Sequence, residues 1–100
     1  MNVVSKRGLT ELADGKRIDA DTMEELQSWY RTARRATWMN LIDVRQDFSD
    51  ADQLGSVLIF NVRHNRYRLI VTTEFSRGLM FIKAFLTHKE YDRKEWTKWA

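Results

Sequence analysis

The amino-acid sequence predicts an α+β fold in which N-terminal helices pack on one face of an antiparallel-rich β-sheet and a short C-terminal helix closes the chain. Two observations support this prediction. Up to about residue 48 the apolar residues recur at the spacing of amphipathic helices. After residue 56 the period changes to that of strands. The 100 residues contain no proline and no linker-like segment, so residues 1–100 are expected to form a single domain.

The first elements are expected to be a short edge strand and a helix. Val3 and Val4 indicate the edge strand. The helix is expected from about Arg7 to Ala13, and Gly15 favours its end because glycine readily adopts the left-handed conformation that terminates helices.

The second helix is indicated by a cap and by a helical stripe. Asp21-Thr22-Met23-Glu24 has the pattern of a capping box, with Asp21 as the cap and Glu24 reaching back. The apolar stripe comprises Met23, Leu26, Tyr30 and Ala33, with Trp29 beside it. The opposite face carries Arg31, Arg34 and Arg35 near the helix C-terminus, where positive charge is favoured.

The rest of the chain is expected to hold one more packed helix, a loop and three strands. The third helix is expected from about Met39 to Phe48 with Thr37 as its cap, and the polar residues 49–56 are expected to form a loop. The predicted strands are Val57–Val62, Arg66–Phe75 and Leu79–Leu86, joined by turns at residues 63–65 and 76–78. Residues 90–99 are expected to form the closing helix.

Side-chain alternation predicts how the three strands pair. A two-residue turn at Arg77 and Gly78 places Thr72 opposite Lys83, which keeps the ammonium group of Lys83 off the apolar face, where its burial is costly. The apolar face would then comprise Leu58, Phe60, Val62, Tyr67, Leu69, Val71, Met80, Ile82, Ala84 and Leu86. The other face would be an open cationic groove with Asn61, Arg63, Arg66, Arg68 and Lys83.

Charge and composition favour a partner with phosphate groups. Residues 1–55 hold eight basic and ten acidic residues, whereas residues 56–100 hold nine basic and four acidic ones. Such a basic second half is typical of nucleic-acid binders, although an ordinary solvated surface explains the charge equally well. There is no cysteine, no transmembrane-length apolar run and no secretory signal, so a soluble cytoplasmic protein is expected.

The segment from Phe60 to Asp92 holds the residue types that RNA cleavage requires. A base must activate a ribose 2′-hydroxyl, cations must stabilise the phosphate, and an acid should protonate the leaving oxygen; no metal is strictly needed. Arg68 suits phosphate binding through its forked guanidinium, and Lys83 offers a second cation. His88 and Tyr91 follow the third strand at a spacing that places them on one side of a helical turn.

Each of these residues also has a simpler interpretation. His88 could be a helix cap or a surface residue, Tyr91 a packing residue, and Arg66 and Arg68 part of a solvated face. Two larger side chains, Trp96 and Trp99, are most simply anchors of the tail. His64 is expected to be exposed, and Glu74 either supplies a second acid/base group or pairs with a cation. There is no phosphate-binding glycine loop and no metal-ligand spacing.

Several segments resemble one known family. FNVRHNRYRLI followed by LMFIKAFLTHKEYD resembles the HigB family of type II toxins within the RelE-like superfamily, and VVSKRGL, WYRTARRATW and SDADQLG are similar to it in the same order. Asn65 matches the turn asparagine of the family. Members often have Gly-Gly where Arg63 and His64 stand, so the chain departs from the family pattern at that turn.

The resemblance implies a small RelE-like toxin that cleaves mRNA in the ribosomal A site without metal or other cofactor. It implies neutralisation by a cognate HigA-type helix-turn-helix antitoxin, with operator DNA bound only through the toxin–antitoxin complex and with no membrane partner. The catalytic residues it implies are Arg68, Lys83, His88 and Tyr91. Flanking RNA or ribosomal RNA would be bound by Arg63, Arg66 and Lys89.

Two other functions fit the same residues. A non-enzymatic RNA- or ribosome-binding module would use the cationic groove and make His88 and Tyr91 recognition groups. A degenerate member would retain only antitoxin binding, although the candidate residues are all present. Mapped RNA ends distinguish a nuclease from a binder, because a binder stalls translation without creating new ends.

Overall fold

The helices and strands of the chain follow the predicted order, with one additional strand between the third helix and the predicted strands. The structure, a computed structural model, describes residues 1–5, 8–14 and 16–100. The strands are β1 (Asn2–Val4), β2 (Asp52–Leu54), β3 (Val57–Val62), β4 (Tyr67–Glu74) and β5 (Leu79–Thr87), and the helices are α1 (Gly8–Asp14), α2 (Ala20–Arg35), α3 (Leu41–Asp47) and α4 (His88–Asp92). Short 3-10 turns span Phe75–Arg77 and Glu95–Trp99. The α1 start expected at Arg7 and its end near Gly15 lie outside the described residues.

The sheet is mixed and has five strands in the order β1-β5-β4-β3-β2. β1 lies at one edge, as predicted from Val3 and Val4, and runs parallel to β5, while the other neighbours are antiparallel. The other edge strand, β2, corrects the prediction of a loop over residues 49–56. All three residues of β2 are exposed, so the strand has no buried face that could give a period-two signal.

Two helix caps also differ from the prediction. The carboxylate of Asp19, not of Asp21, accepts the hydrogen bond that caps α2, from the amide of Thr22 at 2.8 Å. Asn40, not Thr37, caps α3, because its side-chain oxygen accepts from the amide of Asp43 at 3.0 Å. Sequence alone could not separate Asp19 from Asp21, since both carry a short acceptor of the type that helix starts prefer.

The main core lies between the helices and one face of the sheet, which we call the inner face. Leu26, Trp29 and Ala33 of α2 are buried there, and Met23 and Tyr30 pack against them. This confirms the predicted stripe of α2. The inner face contributes Leu58, Phe60, Val62, Leu69, Val71, Met80, Ile82 and Phe85.

A β-bulge in β5 changes which residues face the core. Val71 pairs with Ile82 and Ile70 pairs with Ala84, so Lys83 is an extra residue without a cross-strand partner. The predicted pairing of Thr72 with Lys83 is therefore wrong, and Thr72 pairs with Phe81. One extra residue reverses the alternation beyond it. As a result Ala84 and Leu86 leave the inner face, contrary to prediction, and Phe85 takes their place.

The opposite face of the sheet, the outer face, is not the open cationic groove that the sequence predicted. It carries a second apolar cluster formed by Val57, Ile59, Ile70, Ala84, Leu86, Tyr91, Trp96 and Trp99. Trp96 is only 7% exposed, which confirms it as an anchor of the C-terminal segment. The predicted closing helix over residues 90–99 is divided in two, with α4 before and a 3-10 turn after Lys94, whose φ is +60°.

Candidate functional site

The turn between β3 and β4 has an unusual backbone. Arg63 and His64 adopt φ values of +52° and +59°, in the left-handed region that L-residues other than asparagine, aspartate and histidine rarely enter. Several hydrogen bonds hold the turn. Arg66 N–H donates to the carbonyl of Arg63 at 3.1 Å, and Arg63 N–H donates to the Glu25 carboxylate of α2 at 2.8 Å. Strained backbone that is held by its surroundings is characteristic of functional sites.

The same turn contacts the start of α4. His88 N–H donates to the carbonyl of Arg66 at 3.0 Å. A capping box fixes the helix start, since Thr87 Oγ1 accepts from the amide of Glu90 at 3.2 Å and the Glu90 carboxylate accepts from the amide of Thr87 at 2.9 Å. His88 is therefore held at the first position of a capped helix, directly beside the basic turn.

His88 has an acidic neighbour one helical turn away. Its Nε2 atom lies 3.3 Å from Oδ2 of Asp92, and the two side chains are 57% and 60% exposed. The carboxylate lies on the Nε2 side of the ring, and Nδ1 forms no hydrogen bond with the described residues. The pair is accessible to a large substrate.

Arg68 and Tyr91 lie on the outer face next to this turn. Arg68 is 9% exposed, and its Nη1 donates to the carbonyls of Asn65 at 2.9 Å and Tyr67 at 3.3 Å. Its guanidinium carbon is 5.0 Å from the centre of the Tyr91 ring, which itself stacks on Trp96 at 5.1 Å. Arg68 thus fixes both the turn and the tyrosine, while its other N–H donors have no acceptor among the described residues.

Charged residues of the α1–α2 connection lie close to α4 and to the β3–β4 turn. Lys16 Nζ is 2.9 Å from a Glu90 oxygen, and this hydrogen bond, with that from the Thr87 amide, holds the pKa of Glu90 below its ordinary value. The pKa of Asp19 is also lowered, mainly by hydrogen bonds from Thr22 and further by the cations Arg63 and Arg66.

Comparison with known proteins identifies the family. A family model described as HigB toxin, the RelE-like toxic component of a toxin–antitoxin system, matches residues 22–94. The chain belongs to the HigB toxin family. The match includes every residue of the β3–β4 turn and of α4. A search of curated proteins found no match.

In this HigB toxin, six of the seven predicted site residues lie at one end of the sheet. We call this group, together with His64, the hairpin-end site; it comprises Arg63, His64, Arg66, Arg68, His88, Lys89 and Tyr91. A polar pocket of about 340 Å³ opens beside it, lined by Glu25, Asp50, Asn61, Arg63, His64 and Arg66. His64 is exposed, as predicted.

Lys83 is the predicted site residue that the structure leaves outside this group. It lies three residues along β5 from Leu86, the partner of Arg68, which is about 10 Å at the rise of a strand. Its Nζ atom instead lies 5.8 Å from the centre of the Phe81 ring. Glu74, considered as an acid/base group, forms an ion pair with Arg77 at 3.5 Å.

Sequence reasoning missed two acidic residues that contact the hairpin-end site, Asp92 beside His88 and Glu25 beside Arg63. Asp92 could have been found from its i,i+4 spacing to His88 on a helix. Glu25 could not, because it reaches the turn across 38 positions of sequence. Within the described residues of the toxin there is no group of three or more histidine, cysteine or carboxylate side chains placed to hold a metal, and no helix long and apolar enough to cross a membrane.

Proposed function

We propose that this HigB toxin is an mRNA endonuclease that cuts translated mRNA in the ribosomal A site by metal-independent acid/base transesterification. One observation carries the proposal: His88, with Asp92 at 3.3 Å, is hydrogen-bonded through its backbone to Arg66 of a basic, exposed turn. A proton-transfer group is thereby held next to cations that suit phosphate.

The chemistry requires a proton to be removed and another to be supplied. A base takes the proton of the ribose 2′-hydroxyl, the oxygen attacks phosphorus, and an acid protonates the 5′-oxygen that leaves, which yields a 2′,3′-cyclic phosphate and a 5′-hydroxyl end. We assign these two steps to His88 and Tyr91, in either order. The exposed Arg66, and Arg68 through the N–H groups that its structural contacts leave unused, would stabilise the charge on the phosphate.

The remaining cations of the hairpin-end site would bind RNA on either side of the cut. Arg63 is suited to this because its carbonyl accepts a hydrogen bond from Arg66 N–H, and Lys89 because it follows His88 in the chain. The separation of Lys83 from Arg68 favours a role for Lys83 away from the scissile phosphate.

The toxin–antitoxin family implies an antitoxin partner. We propose that this partner is a HigA-type helix-turn-helix protein, that operator DNA is bound only through the complex, and that the toxin acts in the cytoplasm as one domain.

Induction of the toxin without its antitoxin tests the nuclease. Growth should stop, and primer extension should find new 5′ ends at A-site codons in translated but not in ribosome-free mRNA. His88→Ala and Tyr91→Ala should each lose these ends, whereas Arg31→Ala, an exposed change on α2, should retain them. Normal growth with intact messages would overturn the proposal.

A non-catalytic binder is the second candidate, and the burial of Arg68 against Tyr91 favours it, because both side chains already have structural contacts. A binder predicts arrested translation without new RNA ends in the same experiment.

A further inference from the structure

The β-bulge places Lys83 at a groove that is separate from the hairpin-end site. As the extra residue of β5 it is exposed, and it borders a groove of about 380 Å³ on the outer face. The groove is lined by Ser56, Thr72, Thr73, Glu74, Phe81, Lys83 and Trp99. We call it the Lys83 groove.

One lysine–aromatic pair lies in this groove, and a second pair shares the groove's Trp99 but has its lysine in the neighbouring pocket. Lys83 Nζ lies over the Phe81 ring at 5.8 Å from its centre, and Lys98 Nζ lies over the Trp99 ring at 5.0 Å from its centre. Both rings are partly exposed. Neither lysine forms an ion pair with the described residues, and the one carboxylate of the groove, Glu74, is paired with Arg77.

Partly exposed aromatic rings beside unpaired cations suit single-stranded nucleic acid. A base of any identity can take the place of the lysine on the ring face and stack there, while the displaced lysine neutralises the adjoining phosphate. Duplex RNA cannot use such a groove, because its bases are already stacked on one another.

We propose that the Lys83 groove is a second RNA subsite, in which an unpaired base stacks on Trp99 or Phe81 and Lys83 contacts the adjoining phosphate. This inference rests on the proposed RNA substrate. It gives Lys83 a binding role in place of the catalytic role that the sequence suggested.

The position of the groove is consistent with one continuous RNA path. Thr72 in the groove lies four residues along β4 from Arg68, about 13 Å at the rise of a strand. Both residues face the outer side, with the cluster around Trp96 between them. A single RNA strand bound at the hairpin-end site would therefore cross the outer face. A base a few nucleotides from the scissile phosphate would then lie in the Lys83 groove.

Binding of a labelled, 2′-O-methylated single-stranded RNA octamer tests the subsite, because the methyl group prevents cleavage during the measurement. By fluorescence anisotropy, Lys83→Gln should weaken binding and lower the salt slope by about 0.7, the value expected for one lost single-strand phosphate contact. Phe81→Leu or Trp99→Leu should weaken binding about fivefold or more through lost stacking. Lys94→Gln removes the same charge from the C-terminal segment without a ring neighbour and should leave the slope unchanged.

Unfolding curves of each variant ensure that a loss of binding is not a loss of fold. Wild-type affinity and salt slope in folded Lys83→Gln and in at least one folded ring variant would overturn the subsite. The subsite would also be overturned if these variants bound the antitoxin more weakly but bound RNA as wild type does, because the groove would then be a protein interface. Message cleavage in cells is measured separately, so the subsite can fail while the nuclease proposal stands.

Discussion

Replacing Arg63 by glycine should stabilise the toxin although it removes a side chain. The φ of +52° at Arg63 costs an L-residue about 1–2 kcal/mol relative to its ordinary conformations. Glycine adopts this φ freely but loses about 0.5–1 kcal/mol more than other residues in chain entropy on folding. The expected net gain for Arg63→Gly is about 0.5–1 kcal/mol. The gain at His64 should be smaller, because histidine tolerates this region better.

Denaturant and thermal unfolding measure this gain, which corresponds to a rise in Tm of about 4 °C for a domain of this size. Arg63→Ala is the matched control, since it removes the same side chain but keeps the strained backbone, and it should give no gain. The Glu25 contact is made by the backbone amide of residue 63 and persists in both variants. Equal stability of the glycine and alanine variants would refute the account of a strained turn. The two variants should lose RNA affinity alike.

Three further changes test other parts of the structure. Thr87→Ala removes one half of the capping box at α4 and should cost about 1 kcal/mol of unfolding free energy; a loss below about 0.3 kcal/mol would mean that the cap does not hold the helix. Because the folded-state pKa of Glu90 is lowered, its contribution is complete above its unfolded pKa and is lost as pH falls through the folded value. Unfolding titrations from pH 6 to pH 3 should therefore show a steeper acid loss for wild type than for Glu90→Gln, and parallel curves would contradict this. Trp96→Ala should cost about 3–5 kcal/mol because it removes a buried ring that stacks on Tyr91, whereas Trp96→Phe should cost less; equal, small losses would mean that the outer cluster contributes little.

The fold was predictable where side-chain periodicity is strong and local. The stripe of α2 and the change of period near Val57 correctly identified the helix and the strands. β2 escaped prediction because its three residues are all exposed, and the cap at Asp19 escaped because Asp21 offers the same chemistry two residues later. Both errors are local: one omits an edge strand of the sheet and the other displaces a cap by two residues.

It was harder to predict which β5 side chains face the core, because this depends on one extra residue in the strand. The bulge at Lys83 reverses the alternation for Ala84 and Leu86, and nothing in the run LMFIKAFLT indicates where an extra residue is accommodated. The C-terminal segment packs on the resulting apolar cluster through Trp96. An open cationic groove was therefore expected where the structure has a second core.

The candidate site was predictable in composition and only partly in arrangement. His88 and Tyr91 were singled out from adjacent residues and from a family resemblance, and both lie at the hairpin-end site. The departure from the family pattern that the resemblance indicated at Arg63 and His64 coincides with the left-handed backbone found there. The contacts of Glu25 with the turn and of Arg68 with Tyr91 join distant parts of the chain, so only the folded structure reveals them.

The most direct test of the central claim is primer-extension mapping of mRNA after induction of wild-type and His88→Ala toxin without antitoxin. General acid/base groups typically contribute factors of about 10²–10⁴ to rate. The account predicts abundant new ends at A-site codons with wild-type toxin, and ends reduced at least about a hundredfold with His88→Ala at equal amounts of folded protein. Undiminished ends with His88→Ala, or growth arrest by wild-type toxin without any new ends, would contradict it.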